Sequence, residues 1–290
     1  MAMTAYGKLP IPRLTPDLVT LIKTGEVFSL AVQYEQGMLV PGPMASYSIA
    51  PHLRHSDSTG DLPFAAAAEV INMSIHVGTH IDALCHISEK QDADGNPSEN
   101  GDPRLYAGEG KTVPANEHVS FTGQTHNSIE NMPPIVMRGV LLDVARYKGV
   151  DVLPDAYPIT DADIQATIEK QGTTIEDNTA VLIRTGFYQH LIDNNSAFRD
   201  AQAGIDLSAA QYLVGQGMTL VGSDTMSVEV QPPGDHAVHR YHLVYNGITH
   251  VEVMYLDELA EKQQYEFLLI ITPLKLTGAT GSWVHPIAIG

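Results

Sequence analysis

Apolar and polar positions alternate through "INMSIHVGTHIDALCHI", residues 71–87. Asn72, Ser74, His76, Gly78, His80, Asp82 and His86 share one parity, and Ile71, Met73, Ile75, Val77, Ile81, Ala83, Cys85 and Ile87 the other. A period of two predicts a strand that packs apolar atoms on one face and presents imidazoles and a carboxylate on the other. A helix fits less well, because it would align His76 with His80 but turn Asp82 away. Further β-rich apolar runs occur at GVLLDVA, TAVLIRT, MTLVGSD and YEFLLIITPL. Helices are predicted between several of them: TDADIQATIEKQG, capped by Thr160 and ended by Gly172, and DLSAAQYLVGQG, capped by Asp206 and closed near Gly217. A short N-terminal helix is predicted from Thr15 as N-cap and Pro16 in the first position. Strands alternating with helices predict an α/β fold, a mixed sheet with flanking helices, with extra hairpins where Pro and Gly concentrate. Residues 36–66, rich in Gly, Pro, Ser and His, predict a long irregular segment covering a site or a neighbouring subunit.

Composition narrows the function classes. A chain of 290 residues with 43% hydrophobic and 17% charged residues is an ordinary globule, and one domain is expected. No run approaches the ~20 apolar residues that cross a bilayer. The N-terminal MAMTAYGKLPIPRL lacks the apolar core of a secretory signal, so a cytoplasmic location is expected. The formal charge of −18 would repel phosphate backbones and anionic lipids, which argues against nucleic acid and membranes as partners. Cys85 is the only cysteine, so neither an internal disulfide nor a multi-cysteine zinc site is possible. Any metal must be held by histidine and carboxylate.

The opening stretch meets that requirement. His76, His80 and Asp82 lie on one strand face, but residues four apart on a flat strand are ~13 Å apart at ~3.3 Å per residue, so the strand should bend. Gly78 between the histidines permits a kink and leaves space for an ion. Two histidines and a carboxylate leave coordination positions open, as catalytic sites require. His86, in phase but past the likely strand end, reads as a base beside the ion; Cys85, of opposite parity, reads as core. Downstream, SDTMSVEVQPPGDHAVHRYHLVYNGITHVEV concentrates polar groups again. A helix capped by Asp235 and running to Asn246 and Gly247 would place His236, His239 and Arg240 on one side, and a following strand would put His250 and Glu252 on one face.

These residues resemble the cyclase-like metal-dependent hydrolases, which include bacterial kynurenine formamidase and isatin hydrolase. His76-Val-Gly78-Thr79-His80-Ile-Asp82-Ala-Leu-Cys-His86 is similar to the family signature His-x-Gly-Thr-His-x-Asp-x-Pro-x-His, with Leu84 in place of the proline. The segments SDTMSVE and PLKLTGATGSWVHPIAI resemble its central segment and C-terminal strand pair, so the resemblance runs from about residue 65 to the end. It implies the swivelling β/β/α cyclase-like fold as one domain over 1–290, with 1–65 an N-terminal extension acting as a lid or oligomer arm. It implies His76, His80 and Asp82 as metal ligands, His86 as the catalytic histidine, and His239 with Glu252 completing a second ion position, for which His236 competes with His239. Glu229 and Asp224 are candidates either for the site or for structural roles. The implied chemistry is attack of a metal-activated water on an amide or lactone of a small, cyclic or formamide substrate, with Zn²⁺ or Mn²⁺, in a homodimer or homotetramer. Two other classes share the ligand set: a non-haem Fe(II) oxygenase, and a non-catalytic metal-binding protein.

Overall fold

The computed structural model describes residues 5–57, 63–108 and 110–290. Parts of the expected N-terminal arm (1–4) and of the irregular segment (58–62) lie outside the described residues. The apolar runs form a nine-stranded mixed sheet. Its strands are β1 (Val27–Ser29), β2 (His80–Asp82), β3 (Ile135–Asp143), β4 (Thr179–Arg184), β5 (Met218–Ser223), β6 (Thr249–Glu252), β7 (Glu266–Ile271), β8 (Gly281–Trp283) and β9 (Ile287–Ile289). Across the sheet they lie in the order β1-β9-β7-β3-β4-β5-β6-β2-β8. The run β3, β4, β5, β6 is parallel and all other neighbours are antiparallel.

The sheet separates two apolar layers. Leu141, Leu182, Leu220, Val251 and Ile81 project to one side, and Val140, Val181 and Val221 to the other. The second side is covered by helices α1 (Asp161–Gln171) and α2 (Leu207–Gly215), through Ile164, Ala209, Ala210 and Leu213. Each fully buried Ile, Leu or Val side chain of these layers stabilises the fold by about 1.5–3 kcal/mol. The helix boundaries are those the caps predict: Thr160 and Asp163 form a reciprocal capping box, Gly172 ends α1 in the left-handed conformation, and Asp206 accepts from Ala209 at the start of α2. The N-terminal helix is a single turn, Pro16–Val19.

The stretch 71–87 is not one strand. Residues 68–72 pair with 48–53 in a separate, largely exposed hairpin, His76 lies on a turn, and only His80–Asp82 joins the sheet. Gly78, at φ +63°, makes the break. The space beside it is not an ion's: a Cβ there would stand 2.2 Å from Cε1 of Tyr34. The alternation was real, but it separates two interior faces rather than core from solvent, since residues 77–85 are all buried.

Among the described residues before 35, Val27–Ser29 joins the sheet as an edge strand and Tyr6, Leu9 and Phe28 are buried, whereas Pro16–Val19 buries no side chain. Leu30 and Val32 are buried in the sheet's two layers, and Thr79 Oγ1 accepts from the Val32 amide (2.8 Å) and donates to the Val253 carbonyl (2.6 Å). Within the first 65 residues, the strand Ser48–Leu53 stands away from this core, and the loop around 41–45 lies over the site, tied to Ser74 by two hydrogen bonds.

Candidate active site

The site forms where the parallel run ends, at the C-terminal end of β6, against antiparallel β2. Register places Glu252 opposite His80 and Val251 opposite Ile81. Ile81 and Val251 therefore continue one apolar layer, while on the other face, where β3, β4 and β5 carry valine, β2 and β6 carry His80, Asp82, His250 and Glu252. All four are buried. Burying charges at this density costs several kcal/mol per ion unless each finds a partner.

The turn brings His76 back over β2, with its Nδ1 2.9 Å from Asp82 Oδ1 and its Nε2 2.9 Å from Thr280 Oγ1. Nδ1 of His80 donates to the Gly78 carbonyl (2.8 Å), which leaves Nε2 facing Asp82 (3.6 Å) and Glu252 (3.4 Å). His239 Nε2 lies 3.2 Å from Glu252 Oε1 and 3.9 Å from Asp82 Oδ2, while its Nδ1 bonds Glu229 at 2.5 Å. His76 Nδ1, His80 Nε2 and both carboxylate oxygens of Asp82 are buried without a hydrogen bond of acceptable geometry. Such atoms are costly unless something ligates them, and His80 and His239 each have the other ring nitrogen fixed by an acceptor, as metal ligands usually do. Among the described residues three groups of side chains could hold a cation: His76, His80 and Asp82; Asp82, His239, His250 and Glu252; and, with exposed His236 at its edge, Glu229, His236 and His239.

Electrostatics point the same way. Burial alone would lower the pKa of His80, but Glu252 and Asp82 outweigh it and raise it. Burial is likewise overcome at His239, which Glu229 and Glu252 push up to about 10. Against their own desolvation, Asp82 is held well below the usual carboxylate range by His86 and His76, and Glu252 by His239, His250 and His80. The histidines and carboxylates of the cluster thus stabilise one another's charged forms, and a divalent cation would supply positive charge there while displacing protons. The donor set fits such an ion.

His86 sits on the turn after β2, stacked on His76 with ring centroids 3.8 Å apart. Burial is the main cause that lowers its pKa to about 4, so its imidazole is neutral at pH 7. The turn closes with the His86 amide on the Ala83 carbonyl, and the Leu84 amide donates to the Tyr6 hydroxyl at 2.9 Å. A proline at position 84 would lack that N–H; here the hydroxyl of Tyr6, itself donating to the Asn127 carbonyl, takes over the restraint. Tyr6 carried no sequence signal.

The expected helix from His236 to Asn246 is broken into a turn, Ala237–His239, and a π-helical stretch, Arg240–Asn246. His236 and His239 both bond Glu229, but His239 alone reaches Asp82 and Glu252, and the His236 side chain is 46% exposed. Arg240, expected beside them, turns to Glu89 at 2.5 Å. Glu229 belongs to the site as the carboxylate that orients His239. Asp224 is structural: it accepts from Thr185 N, Thr185 Oγ1 and Gly186 N, tying the end of β4 to the end of β5. Cys85 is buried in the core layer. A cavity of about 350 Å³ opens onto His76, His86, His239 and Glu252, walled by Pro41, Pro43, Met44, Ile87 and Met226.

Comparison with known proteins follows the same lines. The sequence profile described as "Putative cyclase" matches residues 28–230. Kynurenine formamidase of Bacillus cereus is 25% identical over 218 residues, which covers 75% of this chain and 77% of that protein. The enzyme of the same name from Bacillus cytotoxicus is 26% identical over 217 residues, with the same 75% and 77% covered. A crystal structure described as a novel cyclase superposes with a TM-score of 0.83 at 28% identity, covering 96% of this chain and 92% of that one. Isatin hydrolase A from Ralstonia solanacearum shares the fold with a TM-score of 0.63 at 20% identity, covering 91% of each chain. At the level of the family these similarities support a metal-dependent amide hydrolase. No helix among the described residues is long and apolar enough to cross a membrane. With the profile matched over well more than half its length, and the mixed α/β fold of a solved cyclase around a buried histidine and carboxylate cluster, the chain belongs to the putative cyclase family.

Proposed function

We propose that the protein hydrolyses an amide or lactone bond of a small molecule, an aryl formamide or a cyclic amide, with Zn²⁺ or Mn²⁺ bound. The observation that carries this reading is the convergence of unpartnered buried ligand atoms from His76, His80 and Asp82 beside a neutral, partly accessible His86. His76, His80 and Asp82 would hold one ion, and His239 with Glu252 would contribute to a second. When bound, a divalent ion polarises a carbonyl oxygen and brings water toward a pKa of ~7. His86 takes the proton of the attacking water and returns it to the departing amine or alcohol. Stacking on His76 sets the His86 ring plane, and Thr280 Oγ1, 2.9 Å from Nε2, fixes the His76 ring. Met226, Ile87 and the prolines of the covering loop exclude bulk water from a cavity that suits one or two rings. The loop at 41–45 serves as lid, and the outlying hairpin as the arm of a homo-oligomer.

Five converging ligand side chains exceed the two histidines and one carboxylate of the non-haem iron site, which weighs against an oxygenase. The test is elemental analysis of purified protein with hydrolysis of a panel of aryl formamides, isatins, cyclic imides and lactones, for wild type and His86→Ala. Metal-dependent turnover lost in the variant is the expected result. Full activity in His86→Ala, or turnover indifferent to chelation, would overturn the mechanism.

A further inference from the structure

His250 is a buried histidine that the proposed mechanism leaves unused. It lies two residues before Glu252 on β6, hence on the same face, with its ring centroid 4.4 Å from that of His239. One ring nitrogen, Nε2, is 2.8 Å from Nδ1 of His242. The other, Nδ1, is fully buried, without a hydrogen-bond partner, and aimed at the carboxylate cluster, 3.9 Å from Glu252 Oε1. That distance is too long for a hydrogen bond. It suits two ligands of one ion, because bonds of ~2.0–2.1 Å at tetrahedral angles put neighbouring donor atoms roughly 3.3 Å apart. The His239 to Glu252 edge matches at 3.2 Å, and the His250 to Glu252 and His239 to Asp82 edges, both 3.9 Å, are wider and would have to draw in around an ion. One ligand atom from each of Asp82, His239, His250 and Glu252 falls within 4.8 Å of all the others.

We propose that His250 Nδ1 is the fourth protein ligand of the ion position formed by Asp82, His239 and Glu252. The inference rests on the metal reading above and gives the two positions different characters. Four protein ligands close the second one, as in structural sites, while His76, His80 and Asp82 leave the first one open for water and substrate. His242 serves as positioning residue: a His250 ring that ligates through Nδ1 carries its proton on Nε2 and donates it to His242 Nδ1, which locks tautomer and ring plane.

The test is cobalt(II) titration of the metal-free protein, read as equivalents bound by elemental analysis and as visible d–d absorption, with circular dichroism as the control for folding. Wild type is expected to bind two equivalents. His250→Leu should lose the second equivalent and the absorption of a four-coordinate ion while keeping the first. His242→Leu should weaken only the second, by about 10–100-fold, and it carries the test if His250→Leu does not fold. Two equivalents bound by both variants with unchanged affinity and spectrum, or a single equivalent in wild type, would overturn the assignment. Failure of the metal reading itself looks different, with no stoichiometric cobalt in wild type and no change in His80→Ala.

Discussion

Tyr6→Phe isolates one hydroxyl. The ring is buried at 4% exposure and Phe preserves its volume, so no cavity opens and the change is confined to hydrogen bonding. Two main-chain groups lose their partner: the amide of fully buried Leu84 and the carbonyl of Asn127. Leaving a buried polar group unsatisfied costs about 1–3 kcal/mol, and relief from burying the hydroxyl itself offsets part of two such losses, so a net of about 2–3 kcal/mol is expected. At about 2.1 cal/mol/K per residue, 290 residues give an unfolding entropy near 0.6 kcal/mol/K, so Tm should fall by about 3–5 °C. The freed amide sits two residues before His86, so kcat should fall about tenfold or more while KM changes little, because misplacing a group by about 1 Å costs up to 10²-fold. Calorimetry and steady-state kinetics on one preparation read both. A Tm within 1 °C of wild type together with unchanged kcat would refute the role of the hydroxyl as anchor of the turn that carries His86.

Four further outcomes follow from the geometry. Gly78→Ala should destabilise by about 2–4 kcal/mol in a denaturant melt, because the residue combines a φ of +63° with a Cβ position 2.2 Å from the Tyr34 ring; a neutral result would mean that the turn re-forms without strain. His239→Ala should release metal and lower activity at least 10²-fold, whereas half-exposed His236→Ala should keep its metal and lose less than tenfold; equal effects would contradict the assignment. Chelation should lower Tm, since a ligand at about 1,000 times its Kd stabilises by about 4 kcal/mol; thermal shift with and without EDTA measures it. In metal-free protein, His86 has its folded pKa near 4 against 6.5 for the free side chain. The unfolded chain therefore takes up that proton first, so the contribution of His86 is present above pH 6.5 and is lost as pH falls toward 4. His86→Gln should flatten the stability curve across that window, and an unchanged slope would show that His86 is not desolvated.

What the amino-acid order determined by itself was local. The caps at Thr160 and Asp206 and the stop at Gly172 were legible because capping depends on a few adjacent residues. The β-rich runs became β3, β4, β5 and β7 because β-branched content and burial act within a segment. The signature from His76 to His86 marked the family, and period two placed His80 and Asp82 on one face. Only the tertiary structure decided the rest. The pairing of Glu252 with His80 is a register between strands some 170 positions apart, set by Ile81 and Val251 entering the same apolar layer. That His239 rather than His236 reaches Asp82 and Glu252 depends on where the Ala237–His239 turn passes into the π-helical stretch and on which ring Glu229 can aim at Asp82, neither of which has a sequence period. Tyr6, distant in sequence, restrains the turn that carries His86 only because chain folding brings its hydroxyl to the Leu84 amide. Periodicity records which way a side chain points within its own segment. What it meets there is set by packing summed over the whole molecule.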